Sequence, residues 1–429
     1  MPALIMLNSD KYPILLMACA LAATAANAGD PRQGHWPQWR GPNRDGHSTD
    51  TNLMQRWTNP PELLWKATGL GIGYSSVVLA EGQLYTIGRH DSDVMVLALD
   101  VRTGQQKWQV KIDETSRIPC STPTLDGDLL YALSPDGDLC CLKTSSGKIV
   151  WRRQLMDDFQ GRLQSGRGYG ESPLVDGDAL VCTPGGSEHT LVKLNKHTGQ
   201  LLWSCTVPDL GQNGRDGAGF SSIVTTTVGT IRQYVQMIGR GLVGVRDTDG
   251  KFLWGYNRIA NQTANIPTPV THGEFVFSAN GYNAGSVLLR LTASDREEIQ
   301  VEEVFFLGGN RFQNHHGGFV LIDNHIYGGH GSNNGLPTCL ELVTGKIRWK
   351  RRGPGTGSAA IAYADGNLFF RYQDGTMALI EANSRRFRLK GAFKIPGAGN
   401  DSWPHPVVTG GVLFLREQDS LLTYNVAAQ

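Results

Sequence analysis

Four imidazoles crowd one short stretch of this 429-residue chain: His315, His316, His325 and His330. At the mouth of a cavity such a group would bind Zn2+, Cu2+ or iron. Neighbours on extended backbone point to opposite sides, so only one of His315 and His316 is expected to face inward. His325 sits beside a turn, toward the surface. The expectation is therefore a polar channel-lining histidine and not a three-histidine metal centre, with His316 as the candidate catalytic residue for its neutral-pH titration. Four arginines, Arg117, Arg162, Arg167 and Arg240, fall in loops that precede or follow apolar strands, where a guanidinium fork would hold a carboxylate or phosphate. Glu171 follows Gly168-Tyr169-Gly170 and would be the carboxylate paired with such an arginine. There is no phosphate-binding loop, no Gly-x-Ser-x-Gly, no His-Glu-x-x-His and no Cys-x-x-Cys. The Asp-Gly pairs lack a dense acidic array and read as turns, not Ca2+ loops.

The elements that must position these groups are written in a repeated phrase. Thr103-Gly104 precedes Trp108, Ser146-Gly147 precedes Trp151, Thr198-Gly199 precedes Trp203, Asp249-Gly250 precedes Trp254 and Thr344-Gly345 precedes Trp349. In each, Gly lies four residues before Trp. A small residue plus Gly makes a tight turn, and an alternating strand ending in a large aromatic follows. A second signal runs in register, an apolar strand, a Gly turn and another strand, as in 121–131 and 171–181. Its turns fall near Gly82, Gly127, Gly177, Gly229, Gly273, Asn324, Gly366 and Gly411. Each unit thus holds four antiparallel strands, the content of a propeller blade, repeated every ~40–50 residues. The last unit lacks its closing strand, and the unused strand 62–65, ending in Trp65, lies at the front. We expect an all-β propeller of eight four-stranded blades closed by that N-terminal strand, with seven blades as the runner-up. The tryptophans Trp65, Trp108, Trp151, Trp203, Trp254 and Trp349 are expected to dock one blade on the next.

Composition agrees with many short strands: 53 glycines and only 18% charged residues. A net charge of +1 without a long basic run argues against nucleic acid. Residues 1–28 read as a signal peptide, with Lys11, an apolar run and Ala26-Asn27-Ala28 as cleavage site; a lipobox-like 16–19 is the rival. Residues 29–59 read as an N-terminal extension and 60–429 as the propeller. Export to the periplasm or the medium is expected, and no other segment is long and apolar enough to span a membrane. Cys140 and Cys141 sit within a strand and should enter opposite faces as two core residues.

The Thr-Gly-x-x-x-Trp closures over residues 60–429 resemble the pyrroloquinoline-quinone-like repeat propellers. Trp36-Pro37-Gln38-Trp39-Arg40-Gly41-Pro42, Gly168-Tyr169-Gly170-Glu171-Ser172 and Asn314-His315-His316-Gly317-Gly318 look like signatures of exported members from planctomycete-type bacteria. The resemblance implies fold more than function, because the family holds both quinoprotein dehydrogenases and the cofactor-free propeller of the outer-membrane assembly machine. In the dehydrogenases a Ca2+ ion on the quinone is held by Glu, Asn and Asp from three consecutive blades, and two adjacent cysteines form a ring near the cofactor. By that resemblance Asn280 occupies the Asn ligand position and His316 the position of the base. Ser187-Glu188 resembles the Glu ligand but lies one blade early, and Cys140-Cys141 aligns inside a strand. The leading expectation is an exported, monomeric binding or scaffold protein without bound quinone, taking a small polar ligand, a glycan or a protein partner. The alternative is a quinone- or metal-dependent oxidoreductase with pyrroloquinoline quinone and Ca2+ at the channel. Arg117, Arg167, Glu171, Glu188, Asn280 and His315 are the candidate ligand-binding residues.

Overall fold

The computed structural model describes residues 30–428 except 297 and 400; the expected signal peptide, 1–28, lies outside the described residues. These residues form eight four-stranded antiparallel sheets. Blades 1 to 7 use consecutive strands, beginning with the innermost at Val78–Ala80, Thr124–Asp126, Leu174–Asp176, Val224–Val228, Val270–His272, Phe319–Ile322 and Ala359–Ala364. Blade 8 takes Val407–Thr409, Val412–Glu417 and Ser420–Asn425 from the C-terminus and is completed by Leu63–Ala67 from the front. Trp65 pairs with Thr423 and Ala67 with Leu421, so both ends of the chain share one sheet and the open edge of blade 8 is covered. The eight-blade expectation holds. No described helix is long and apolar enough to cross a membrane.

The core is divided among the seams of the ring. Eight apolar clusters each join two adjacent blades, including blade 8 to blade 1. Alternation along each strand feeds one side chain to each neighbouring seam. Cys140 and Cys141 follow that rule: Cys140 packs at the seam of blades 1 and 2, Cys141 at the seam of blades 2 and 3.

The repeated phrase has a clear physical job. Gly147 turns with φ +71°, and a Cβ there would come within 2.7 Å of the Trp108 ring of the preceding blade. The bare glycine lets the indole lie on the turn while its Nε1 donates to the carbonyl three residues before it, Trp108 to Thr144 at 2.9 Å. Trp65 repeats this on Val101, Trp151 on Lys196 and Trp203 on Asp247. Trp254 departs from the pattern. Blade 5 has no matching Gly turn, so its indole instead donates to Gln233 of its own blade at 2.6 Å and lies over Gly244. Phe305 takes the vacant role and covers Gly345.

The segment after residue 34 is no loose extension. It lies against the inner strands and hydrogen-bonds around the ring. Trp36 exchanges both backbone bonds with Leu79 of blade 1, and Leu125 of blade 2 donates to Pro37. Arg44 donates to Ser172 and Pro173 at blade 3, Trp39 to Thr268 at blade 5 and Arg40 to Phe319 of blade 6. Ser48 reaches Tyr363 of blade 7, and Asp50 and Met54 reach Gly411 and Val426 of blade 8. This strap fills the channel beneath the site described next.

Candidate functional site

The loops that lead into the inner strands converge over the strap. Tyr74, Cys120, Gly170, Phe220, Thr268, His316 and His405 come from such loops, and together they enclose a pocket of about 350 Å³. Its floor is made by Trp39 and Arg40 of the strap, and one lip by Ser165-Gly166-Arg167. Arg117 positions that lip: it pairs with Asp136 and its Nε donates to the Gly166 carbonyl at 2.9 Å.

The walls are aromatic. Tyr74 lies 4.5 Å from Trp403 at 32°, and Trp403 lies 4.9 Å from His316 at 46°. His316 neighbours His315 at 4.6 Å, and Trp39 meets His405 at 4.5 Å and 57°. Both members of the His315-His316 pair line the pocket, contrary to the expectation of one inward residue. Residues 315–317 form a bend before the inner strand, so the alternation of extended backbone does not apply. His315 is fixed at both nitrogens, by Ser358 at 2.7 Å and Tyr282 at 2.9 Å. Burial holds the three rings uncharged: it lowers His315 to about 4 and His405 to about 3, and puts His316 well below the usual range. His316 therefore does not titrate near neutral pH, which corrects the reason for choosing it as a catalytic residue.

The charged lining is entirely cationic. Arg40 is 3% exposed and stays protonated although burial lowers it to about 10. Arg167 is exposed, stands 5.9 Å over the Trp403 ring, and its guanidinium has no ion pair or hydrogen bond among the described residues. No described Asp or Glu lines the pocket.

The remaining candidates lie elsewhere. Glu171 is fully buried; its Oε2 accepts from the Thr183 amide at 2.7 Å and its Oε1 has no partner. Burial outweighs those bonds and the nearby Arg44 and pushes its carboxyl up to about 8. It is thus a sealed, largely protonated acid and not a pocket carboxylate. Asn280 is also fully buried. Its amide donates to Ile259 and Asn265 and its oxygen accepts from Gly281, so it is consumed in bracing the loop before blade 5. Glu188 is exposed, away from the pocket. Arg117 is committed to Asp136 and Gly166. Arg162 and Arg240 both pair with Asp216 in a separate groove between blades 3 and 4. His330 stacks on Phe312, and His325 bonds the Asp323 carbonyl. Three pocket residues, Tyr74, Trp403 and His405, lie outside every repeated phrase. Trp39 and Arg40 belong to a recognisable N-terminal motif whose place in the channel the sequence does not announce.

A calcium-bound quinone requires several hard oxygen ligands converging on one point. With Asn280 bound internally, Glu171 sealed and no carboxylate on the lining, the residues present do not fit that pair. No group of three or more potential metal ligands occurs among the described residues.

A family model described as outer membrane protein assembly factor BamB matches residues 91–351. The chain belongs to that family of quinone-like repeat propellers. Among curated relatives of these propellers, a quinoprotein alcohol dehydrogenase, PedH, of Pseudomonas putida is 26% identical over 29% of this chain and 22% of its own length. BamB of Nitrosomonas eutropha is 26% identical over 39% of this chain and 34% of its own length. The chain therefore spans about a third or less of the curated relatives it matches. By structure, BamB from Moraxella catarrhalis superposes with a TM-score of 0.58 at 13% identity, covering 85% of this chain and 99% of that one. Quinohemoprotein alcohol dehydrogenase from Comamonas testosteroni gives 0.62 at 13% identity over 92% and 81%. At that identity the likeness is one of fold.

Proposed function

We propose that this propeller is an exported binding protein, and that its channel-mouth pocket receives a small, ring-bearing anion. The observation that carries the reading is the pocket's chemistry: aromatic walls, an unpaired Arg167, a buried Arg40, and no described acidic residue on the lining. Aromatic surface holds the ring, and guanidinium N–H groups hold the charge at roughly twice the strength of neutral donors. A general base working by Brønsted catalysis is best matched to a pKa near the working pH. The three pocket histidines are held well below that range, and Glu171 is sealed away.

Calorimetric titration tests this. The purified protein should bind ring carboxylates and ignore neutral rings of equal size. Replacing Arg167 with Gln should weaken binding about tenfold or more, given the ~1.5–3 kcal/mol of a hydrogen bond to a charged group. Equal binding by neutral rings would overturn the reading. So would a saturable thermal shift that needs pyrroloquinoline quinone and Ca2+ together, which would restore the oxidoreductase alternative. Export is tested separately, by fractionating cells that express the whole chain.

A further inference from the structure

Ten of the 40 lysines and arginines fall in two short stretches, 344–352 and 383–394, which hold none of the 39 Asp and Glu. The rest of the chain keeps 30 basic residues against 39 acidic. The two stretches carry the fourth strands of blades 6 and 7, Ile347–Lys350 and Leu389–Lys394, with the turns beside them, so they lie on the outer rim of the ring. The Trp349 indole joins them. Its Nε1 donates to the Asn383 carbonyl at 2.8 Å, and its ring meets Phe387 at 5.6 Å. A chain with a net charge of only +1 thus gathers a quarter of its cations on one side of the ring.

Internal pairing does not account for this patch. Arg388 reaches Glu381 at 3.3 Å and Lys394 reaches Asp374 at 3.5 Å. The side chains of Lys346, Arg348, Arg352, Arg385 and Arg386 are exposed and have no ion pair or hydrogen bond among the described residues. Protection of an open sheet edge does not account for it either. Charged side chains do guard edges against strand addition. Yet the fourth strands of blades 3 and 4, Leu201–Cys205 and Phe252–Tyr256, contain no charged residue. The fourth strand of blade 5 is acidic instead, and its Glu302 and Glu303 are answered by Arg290 and Arg258.

Cations held this close repel one another, and a partner that brings many negative groups at once relieves the repulsion. Five unpaired side chains spread over two blades are too dispersed for one small anion. Two large apolar side chains, Val343 and Leu389, 44% and 42% exposed, stand beside or among them. Basic residues interspersed with exposed apolar ones suit lipid headgroups, where the cations meet phosphate and the apolar groups enter the interface. We infer that the rim of blades 6 and 7 docks on an anionic phospholipid surface. The guanidinium groups hold headgroup phosphates in forks. The choice of lipid among polyanions rests on the exported reading above, because an exported chain meets the headgroups of the cell envelope. Docked by its rim, the ring stands on edge and its pocket opens sideways, along the membrane and not into it.

The test is co-sedimentation of residues 29–429, which keep every described residue and lack the apolar leader, with phosphatidylcholine vesicles. The vesicles are used plain or with phosphatidylglycerol as a third of the lipid. The protein should sediment with the anionic vesicles alone, and added salt should release it. R348Q/R385Q/R386Q should weaken binding on the order of a hundredfold, as expected for three cations near such a surface, with unchanged thermal unfolding. K66Q/K107Q/K148Q, exposed on other blades, should bind like the parent. Equal sedimentation with both vesicles, sedimentation with neither, or equal weakening by the two triple variants would each overturn the inference. So would a DNA duplex or polyglutamate that strips the protein from the vesicles at a lower concentration of negative charge, which would make the rim a site for nucleic acid or acidic protein. Failure here leaves export itself to be decided by the fractionation above.

Discussion

Burying a carboxyl with one of its two oxygens unpartnered sets the protonation of Glu171. Its folded value of about 8 lies above the ordinary 4.5, so its contribution to stability is fully present below about pH 4.5 and is lost as pH rises through 8. We expect unfolding free energy to fall between about pH 4.5 and 8, by an amount on the order of several kcal/mol, and to level off above that. E171Q keeps the shape without the charge and should flatten that limb; chemical denaturation at pH 5, 6.5 and 8 measures it. The pocket behaves differently. His315 and His405 are neutral down to about 4 and 3, and Arg40 is charged up to about 10. Anion affinity should therefore change less than twofold from pH 6 to 8, as titration at constant ionic strength would reveal; a tenfold gain at pH 6 would mean a histidine protonates there. Residue types alone did not disclose these states. His316 was visible as an interesting imidazole, but its burial depends on Trp403 and His405, some ninety residues away in the chain.

The element that repeats is a glycine turn under the indole of the blade before it. That pairing separates two costs of adding a methyl group. Gly127 turns with φ +56° into open space, whereas Gly147, at φ +71°, would put its Cβ 2.6 Å from Val110 and 2.7 Å from Trp108. G127A should cost about 1 kcal/mol of backbone strain, and G147A clearly more, since the indole must move or lose its bond to Thr144. Guanidinium titrations of the two variants would rank them; equal losses would show that the indole does not rest on the turn. The docking rule also explains what the sequence disclosed. Gly and Trp lie four residues apart, so a local phrase, present five times, carries a long-range contact, and the eight hairpin turns in register with it allow the blades to be counted. The site carries no such phrase. Each loop gives it one or two residues, and Tyr74 and Trp403 are unremarkable until the ring brings them within 4.5 Å.

At the scale of the whole molecule, the strap joins the ring to the pocket. A chain beginning at residue 60 retains Leu63–Ala67 and so can close blade 8, but it loses Trp39 and Arg40 from the floor. It should keep its β-sheet circular dichroism, melt at a lower temperature and, on the proposed function, bind no ring carboxylate. Retained binding would show that the floor is dispensable. The strap also has a bearing on timing. Translation releases residues 34–54 first, yet Asp50 and Met54 bond to Gly411 and Val426, which are released last. The earliest segment must wait, unpaired, for the latest, and contacts of such sequence separation form slowly. A chain stalled before blade 8 cannot seat residues 50–54, so the pocket floor is anchored only after strands 407–425 have been made.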